Sequence, residues 1–279
     1  MSSSIDLQGR LVAQARWLNS DLGQHLQKAE QSLFDLAVVD LFGFNAVQMG
    51  AVSMNLLRQS RIAHRFFSSE LYLFPQCADQ FVDQSYDLCC KDDFLPFESA
   101  SLDLLLLPHR LEFSDHPHQT LREAERVLVP EGHLLISGFN PFSSWGVTSR
   151  IKHLFCATDE CAHFFPWNGR FISLARLKDW LSLLGFEVVT TEMCCHVPPF
   201  EQDAWYRRFS FMEKMGANWL PMMGGVYFIV AKKRVAGMTL LKPNWKSAPL
   251  KSSLAIRPTQ QTPSQNEGLM QQDKQRDKQ

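Results

Sequence analysis

The stretch Leu95–Phe142, LPFESASLDLLLLPHRLEFSDHPHQTLREAERVLVPEGHLLISGFNPF, constrains the fold more than any other part of the chain. Leu102–Leu107 is a nearly all-apolar run, as a strand buried on both faces carries. Pro108 ends that strand and opens a polar loop. Over His118–Leu128 the spacing turns helical, with Leu121, Ala124 and Leu128 on one face and Arg122, Glu123 and Arg126 on another. Pro130 and Gly132 stop the helix. His133–Phe139 is a second apolar strand, closed by Asn140-Pro141. Strand, helix, strand is one βαβ crossover, so the two strands should be parallel neighbours.

The chain's bulk properties fit such a domain. Its 279 residues are 45% apolar, enough for a sizeable core. Lys plus Arg (28) nearly balances Asp plus Glu (29), so no single-sign field points to nucleic acid or an anionic membrane. MSSSIDLQGR lacks the basic-then-apolar pattern of a signal peptide, and no apolar stretch reaches the length of a membrane span. Seven cysteines form no disulfide framework. The expectation is a cytoplasmic protein with reduced, packed thiols.

The LPF loop, the SLDLLLL strand, the His109 loop and the REAERVLVPEG helix together resemble the middle of a class I S-adenosylmethionine (SAM)-dependent methyltransferase. The likeness is to the type 11 group, which includes the quinone-biosynthesis methyltransferases. It is strong over residues 91–142 and extends, with FIVAKKR near residue 230, over about 35–235. It implies a Rossmann-like α/β fold: a seven-stranded mixed sheet, its last strand antiparallel, with helices on both faces. It also implies SAM as cofactor and methyl transfer to a small-molecule acceptor. Residues 1–34 would form an N-terminal helical cap and 35–235 the methyltransferase-like domain. Residues 194–225 would be an insertion before the last strand, and the polar 246–279 a disordered tail.

The resemblance assigns the cofactor site residue by residue. Ala37–Gly43 is read as the first strand, entering a loop of type D-x-G-x-G-x-G. Asp40 then holds the acidic position, Gly43 is the one glycine, and Asn45 supplies a left-handed backbone. Phe42, Phe44 and Ala46 stand where glycines are expected. Either the loop is rebuilt and still binds, or the phenyl rings fill the site. Val47–Arg58 follows as a helix and His64–Ser69 as the second strand. Glu70 at its tip would accept bonds from the ribose hydroxyls. Tyr86–Lys91 is a third strand; Asp92, Asp93 and Phe94 after it would meet the adenine. Pro108 and His109 end the fourth strand, where ligands sit in open α/β sheets. His109 is the candidate catalytic residue, able to take a proton near neutrality. Trp145, Phe164, Phe165 and Trp167 would line an aromatic acceptor pocket, or pack the core. Two His/Cys groupings, Asp115–His118 and His153/Cys156/Cys161/His163, lack metal-site spacing, and no metal is assigned. The alternative to an enzyme is a cofactor-free relative acting as a binding protein.

Overall fold

The computed structural model describes residues 17–51, 54–68, 87–155, 169–199 and 221–234. Helix α1, Asp21–Val39, is opened by Ser20, whose side chain accepts from the Gly23 amide at 3.2 Å. Leu22, Leu26, Glu30, Phe34 and Val38 recur every fourth position and are all buried, so one stripe of the helix faces inward. Ala37-Val38-Val39 is therefore the last turn of this helix and not a strand. The apolar run that suggests a strand continues the helical stripe.

The first strand lies further on. β1 is Asn45–Met49, β2 His64–Ser68, β3 Leu102–Pro108, β4 Leu128–Phe139, β5 Phe186–Cys194 and β6 Val226–Lys233. Three helices follow α1: α2 at Pro117–Val127, α3 at Ser144–Phe155 and α4 at Leu174–Leu183. Among the described residues the sheet has six strands in the order β2-β1-β3-β4-β6-β5. β2, β1, β3 and β4 are parallel; β6 runs antiparallel to both β4 and β5. The expected third strand is reduced to one parallel bridge, Ser68 to Leu88. No helix follows β1 within the described residues, where residues 56–59 form a turn.

Alternation along the strands builds two core layers. Leu105 and Leu107 of β3, Leu134 and Ile136 of β4 and Ile229 of β6 pack with Leu121 and Ala124 of α2 and Leu177 and Leu181 of α4. Leu104, Leu106, Leu135 and Phe228 turn to the other face, against Phe34 and Val38 of α1. Ser173 caps α4, accepting from the Arg176 amide at 3.4 Å. The crossover motif has a structural reason. Arg126 donates to Glu123 at 2.8 Å and to the carbonyls of Leu95 and Phe97 at 3.0 and 2.9 Å. Glu123 in turn accepts the Leu95 amide at 3.2 Å. The Arg–Glu pair of α2 thus pins the LPF loop, and hydrogen bonding to Arg126 holds the Glu123 carboxyl below its usual range.

Candidate functional site

Strand order reverses between β1 and β3, and the carboxyl ends of those strands frame the crevice where open α/β sheets bind ligands. Gly50 stands directly after β1 with φ +73°, a conformation that favours glycine. Its amide donates to the Ser68 carbonyl at 2.8 Å. The buried Gln48 side chain ties down the following loop. Its Nε2 donates to the carbonyls of Gly50 at 3.2 Å and Met54 at 2.7 Å, and its Oε1 accepts the Leu56 amide at 2.9 Å. The spacing of a D-x-G-x-G-x-G loop, counted from the end of β1, coincides with Gln48–Met54. Gln48 takes the acidic place, Gly50 the first glycine, and Val52 and Met54 the other two. Val52 lies outside the described residues. Met54 is buried in the core layer beneath α1.

The residues that the sequence suggested for the glycine loop lie elsewhere. Asp40 is the C-cap of α1 and is exposed. Gly43 lies against Asp103, whose Cβ would be 2.3 Å from a Cβ added there. Asn45 opens β1, its amide donating to Asp103 Oδ2 at 3.0 Å and its side chain to the Ser101 carbonyl at 3.0 Å. All three sit at the amino end of β1, opposite the crevice. Phe42 and Phe44 are 69% and 75% exposed there, so neither ring plugs a cleft.

The other predicted residues divide. Glu70 lies outside the described residues. Asp92 is buried beside the crevice and pairs with Arg110, which donates from Nε at 2.7 Å and lies 2.6 Å away at Nη2. Asp93 is half-buried and Phe94 is 77% exposed. Pro108 ends β3 and is buried. Arg110 was not singled out from sequence. Its Cδ would stand 2.9 Å from a Cβ on Gly50, so this side chain occupies the space that glycine leaves.

His109 follows β3 as expected, with φ +48°, and its ring stacks on Phe139 at 4.2 Å. Its surroundings change its chemistry. Nε2 is 2.8 Å from Glu30 Oε1 and Nδ1 is 3.4 Å from Glu112 Oε1, and all three residues are buried. The Glu30 contact is an ion pair off the N–H axis rather than an aligned hydrogen bond. Burial pulls the imidazole pKa down, but the two carboxylates outweigh it and raise the pKa to about 10. The two carboxylates thus favour the imidazolium form of His109. Glu112 also accepts the Phe139 amide at 2.6 Å. A Cβ at Gly138 would stand 2.4 Å from the Tyr227 hydroxyl and 2.8 Å from Glu112 Oε1, so glycine there leaves room for both. Burial, with Glu112 nearby, raises the Tyr227 pKa well above its usual value and keeps the phenol protonated. Glu30 carried one sequence signal: it is the charge in the apolar stripe of α1.

The aromatic wall is core packing in its described part. Trp145 is fully buried, donates from Nε1 to the Val197 carbonyl at 3.0 Å, and stacks on Phe139 at 5.7 Å. Phe164, Phe165 and Trp167 lie outside the described residues.

Residues 73–136 match the family model for a methyltransferase domain of type 11. The fold of this chain resembles that of a SAM-dependent methyltransferase of Thermotoga maritima (TM-score 0.56, 18% identity, 82% of this chain and 98% of that one). It also resembles the methyltransferase crystallised with the Trm112 activator of Haloferax volcanii (TM-score 0.52, 18% identity, 74% and 89%). Among curated proteins it is 38% identical over 146 residues to the uncharacterized protein YafS of Escherichia coli (strain K12), covering 52% of this chain. The match spans about half the relative's length, 54%. Among the described residues no helix is long and apolar enough to cross a membrane.

Proposed function

We propose that the protein is a SAM-dependent methyltransferase acting in the cytoplasm on a small-molecule acceptor, with the cofactor in the crevice between β1 and β3. The observation that carries this is Gly50, in its left-handed conformation at the switch in strand order. The fit is supported by the Gln48 tether of the loop and by Asp92, whose buried Oδ1 has no partner among the described residues. When bound, SAM supplies a methyl group already activated by a positive sulfur. The protein's own task is then to bind, orient and exclude water. Gln48 fixes the loop backbone and Asp92 offers an acceptor oxygen. α1 and the Phe139–Trp145 stack seal the sheet at the carboxyl end of β4 and the amino end of β6. His109, its imidazolium form favoured by Glu30 and Glu112, positions α1 on the sheet. No proton acceptor is assigned.

A cofactor-free relative is the second reading, favoured by Arg110 lying on Gly50 and by the glycine places at 52 and 54. Titration calorimetry with S-adenosylhomocysteine separates them. Gly50→Ala, which strains the loop and meets Arg110, is expected to lower affinity at least about tenfold. Asp40→Ala, at the far end of β1, should stay within about twofold of wild type. Equal affinities for wild type and Gly50→Ala would remove the crevice assignment; no wild-type binding would favour the second reading.

A further inference from the structure

Arg110 and Asp92 form a pair whose geometry is unusual for a structural ion pair. Both Nε and Nη2 of Arg110 approach the same oxygen, Asp92 Oδ2, at 2.7 and 2.6 Å. Arg110 thus meets one oxygen of this carboxylate rather than both in the bidentate manner that arginine favours. Asp92 Oδ1 is left buried and without a partner among the described residues, on a residue only 6% exposed. A buried charged oxygen with no donor is costly unless something supplies one. On the other side, Arg110 Nη1 lies 3.2 Å from where a Gly50 Cβ would be, so the guanidinium borders the left-handed glycine turn. The pair thus sits at the switch point, one cation and one anion side by side, with acceptor capacity to spare.

We propose that Arg110 and Asp92 are the subsite for a zwitterionic amino-acid head, Arg110 taking an α-carboxylate and Asp92 an α-ammonium. The planar guanidinium matches a carboxylate, and a carboxylate with an open oxygen matches an ammonium's three donors. The two ligand charges replace the charges that the side chains now offer each other, so the filled site stays neutral. The inference rests on the cofactor reading above and departs from the sequence expectation that Asp92 meets the adenine.

Calorimetry with two nucleosides tests it: S-adenosylhomocysteine, which carries the amino-acid head, and 5′-methylthioadenosine, which lacks it. Wild type, Arg110→Ala, Arg110→Lys and Asp92→Asn are compared. Arg110→Ala and Asp92→Asn should each weaken S-adenosylhomocysteine by about 10- to 100-fold while leaving 5′-methylthioadenosine within about twofold. Arg110→Lys, which keeps the charge and loses the fork, should fall between. Retained 5′-methylthioadenosine binding also shows that the variants are folded. Equal losses on both ligands would return Asp92 to the nucleoside and overturn the proposal, as would unchanged S-adenosylhomocysteine affinity. Failure of wild type to bind either nucleoside would instead overturn the cofactor reading, and the subsite with it.

Discussion

His109→Asn is expected to lower folding stability by about 3–5 kcal/mol, because it strands two buried carboxylates. Glu30 and Glu112 both face the imidazolium, at 2.8 and 3.4 Å, and both are inaccessible to water. Asparagine is the better probe than alanine because residue 109 has φ +48°, which Asn tolerates. His109→Ala should lose about 1 kcal/mol more for that reason. The same cluster sets a pH dependence. A histidine whose pKa is raised on folding binds its proton more tightly in the native state. Its stabilisation is complete below the ordinary histidine pKa near 6.5 and is lost as pH rises through about 10. Denaturant melts at pH 6, 8 and 10 should show the wild type losing its advantage over His109→Asn across that window. A difference that stays constant with pH would mean that His109 is neutral in the fold.

Trp145→Ala should be comparably severe, about 3–5 kcal/mol by chemical denaturation. The indole is completely buried, meets Trp17 edge-on at 6.2 Å and stacks on Phe139. Gly225 makes room for it: a Cβ there would stand 2.5 Å from Trp145 Cδ1. Truncation therefore leaves a cavity between α1, β4 and β6, and also removes the donor to the Val197 carbonyl. Trp145→Phe keeps most of the ring and should cost about 1–3 kcal/mol. A small effect of Trp145→Ala would mean that this wall is loosely packed and available to an acceptor after all.

Those two residues show where sequence reading works and where it stops. The βαβ core was legible because Leu102–Leu107 is an unbroken apolar run and because Pro and Gly bracket the helix. Val226–Lys233 was legible as a strand for the same reason, and its antiparallel direction was what the resemblance implied. β1 was not legible. Its sequence, NAVQM, carries two amides, and the apolar AVV before it completes the stripe of α1. With Gln48, Val52 and Met54 in the signature places, nothing in the loop's letters marks the one glycine that keeps a left-handed backbone. The His109 position at the end of β3 followed from the strand pattern. Its charge state did not, because Glu30 reaches it from a helix far away in sequence. Arg110 escaped notice for a similar reason: its partners, Asp92 and Gly50, meet it only through the sheet order.

The central claim is that the crevice beside Gly50 holds a SAM-type nucleoside. A crystal structure grown with S-adenosylhomocysteine tests it most directly. The account predicts the nucleoside between the carboxyl ends of β1 and β3, with the Arg110 side chain moved off Gly50 to meet it. A vacant crevice with Arg110 still against that glycine, at ligand concentrations in the millimolar range, would contradict it.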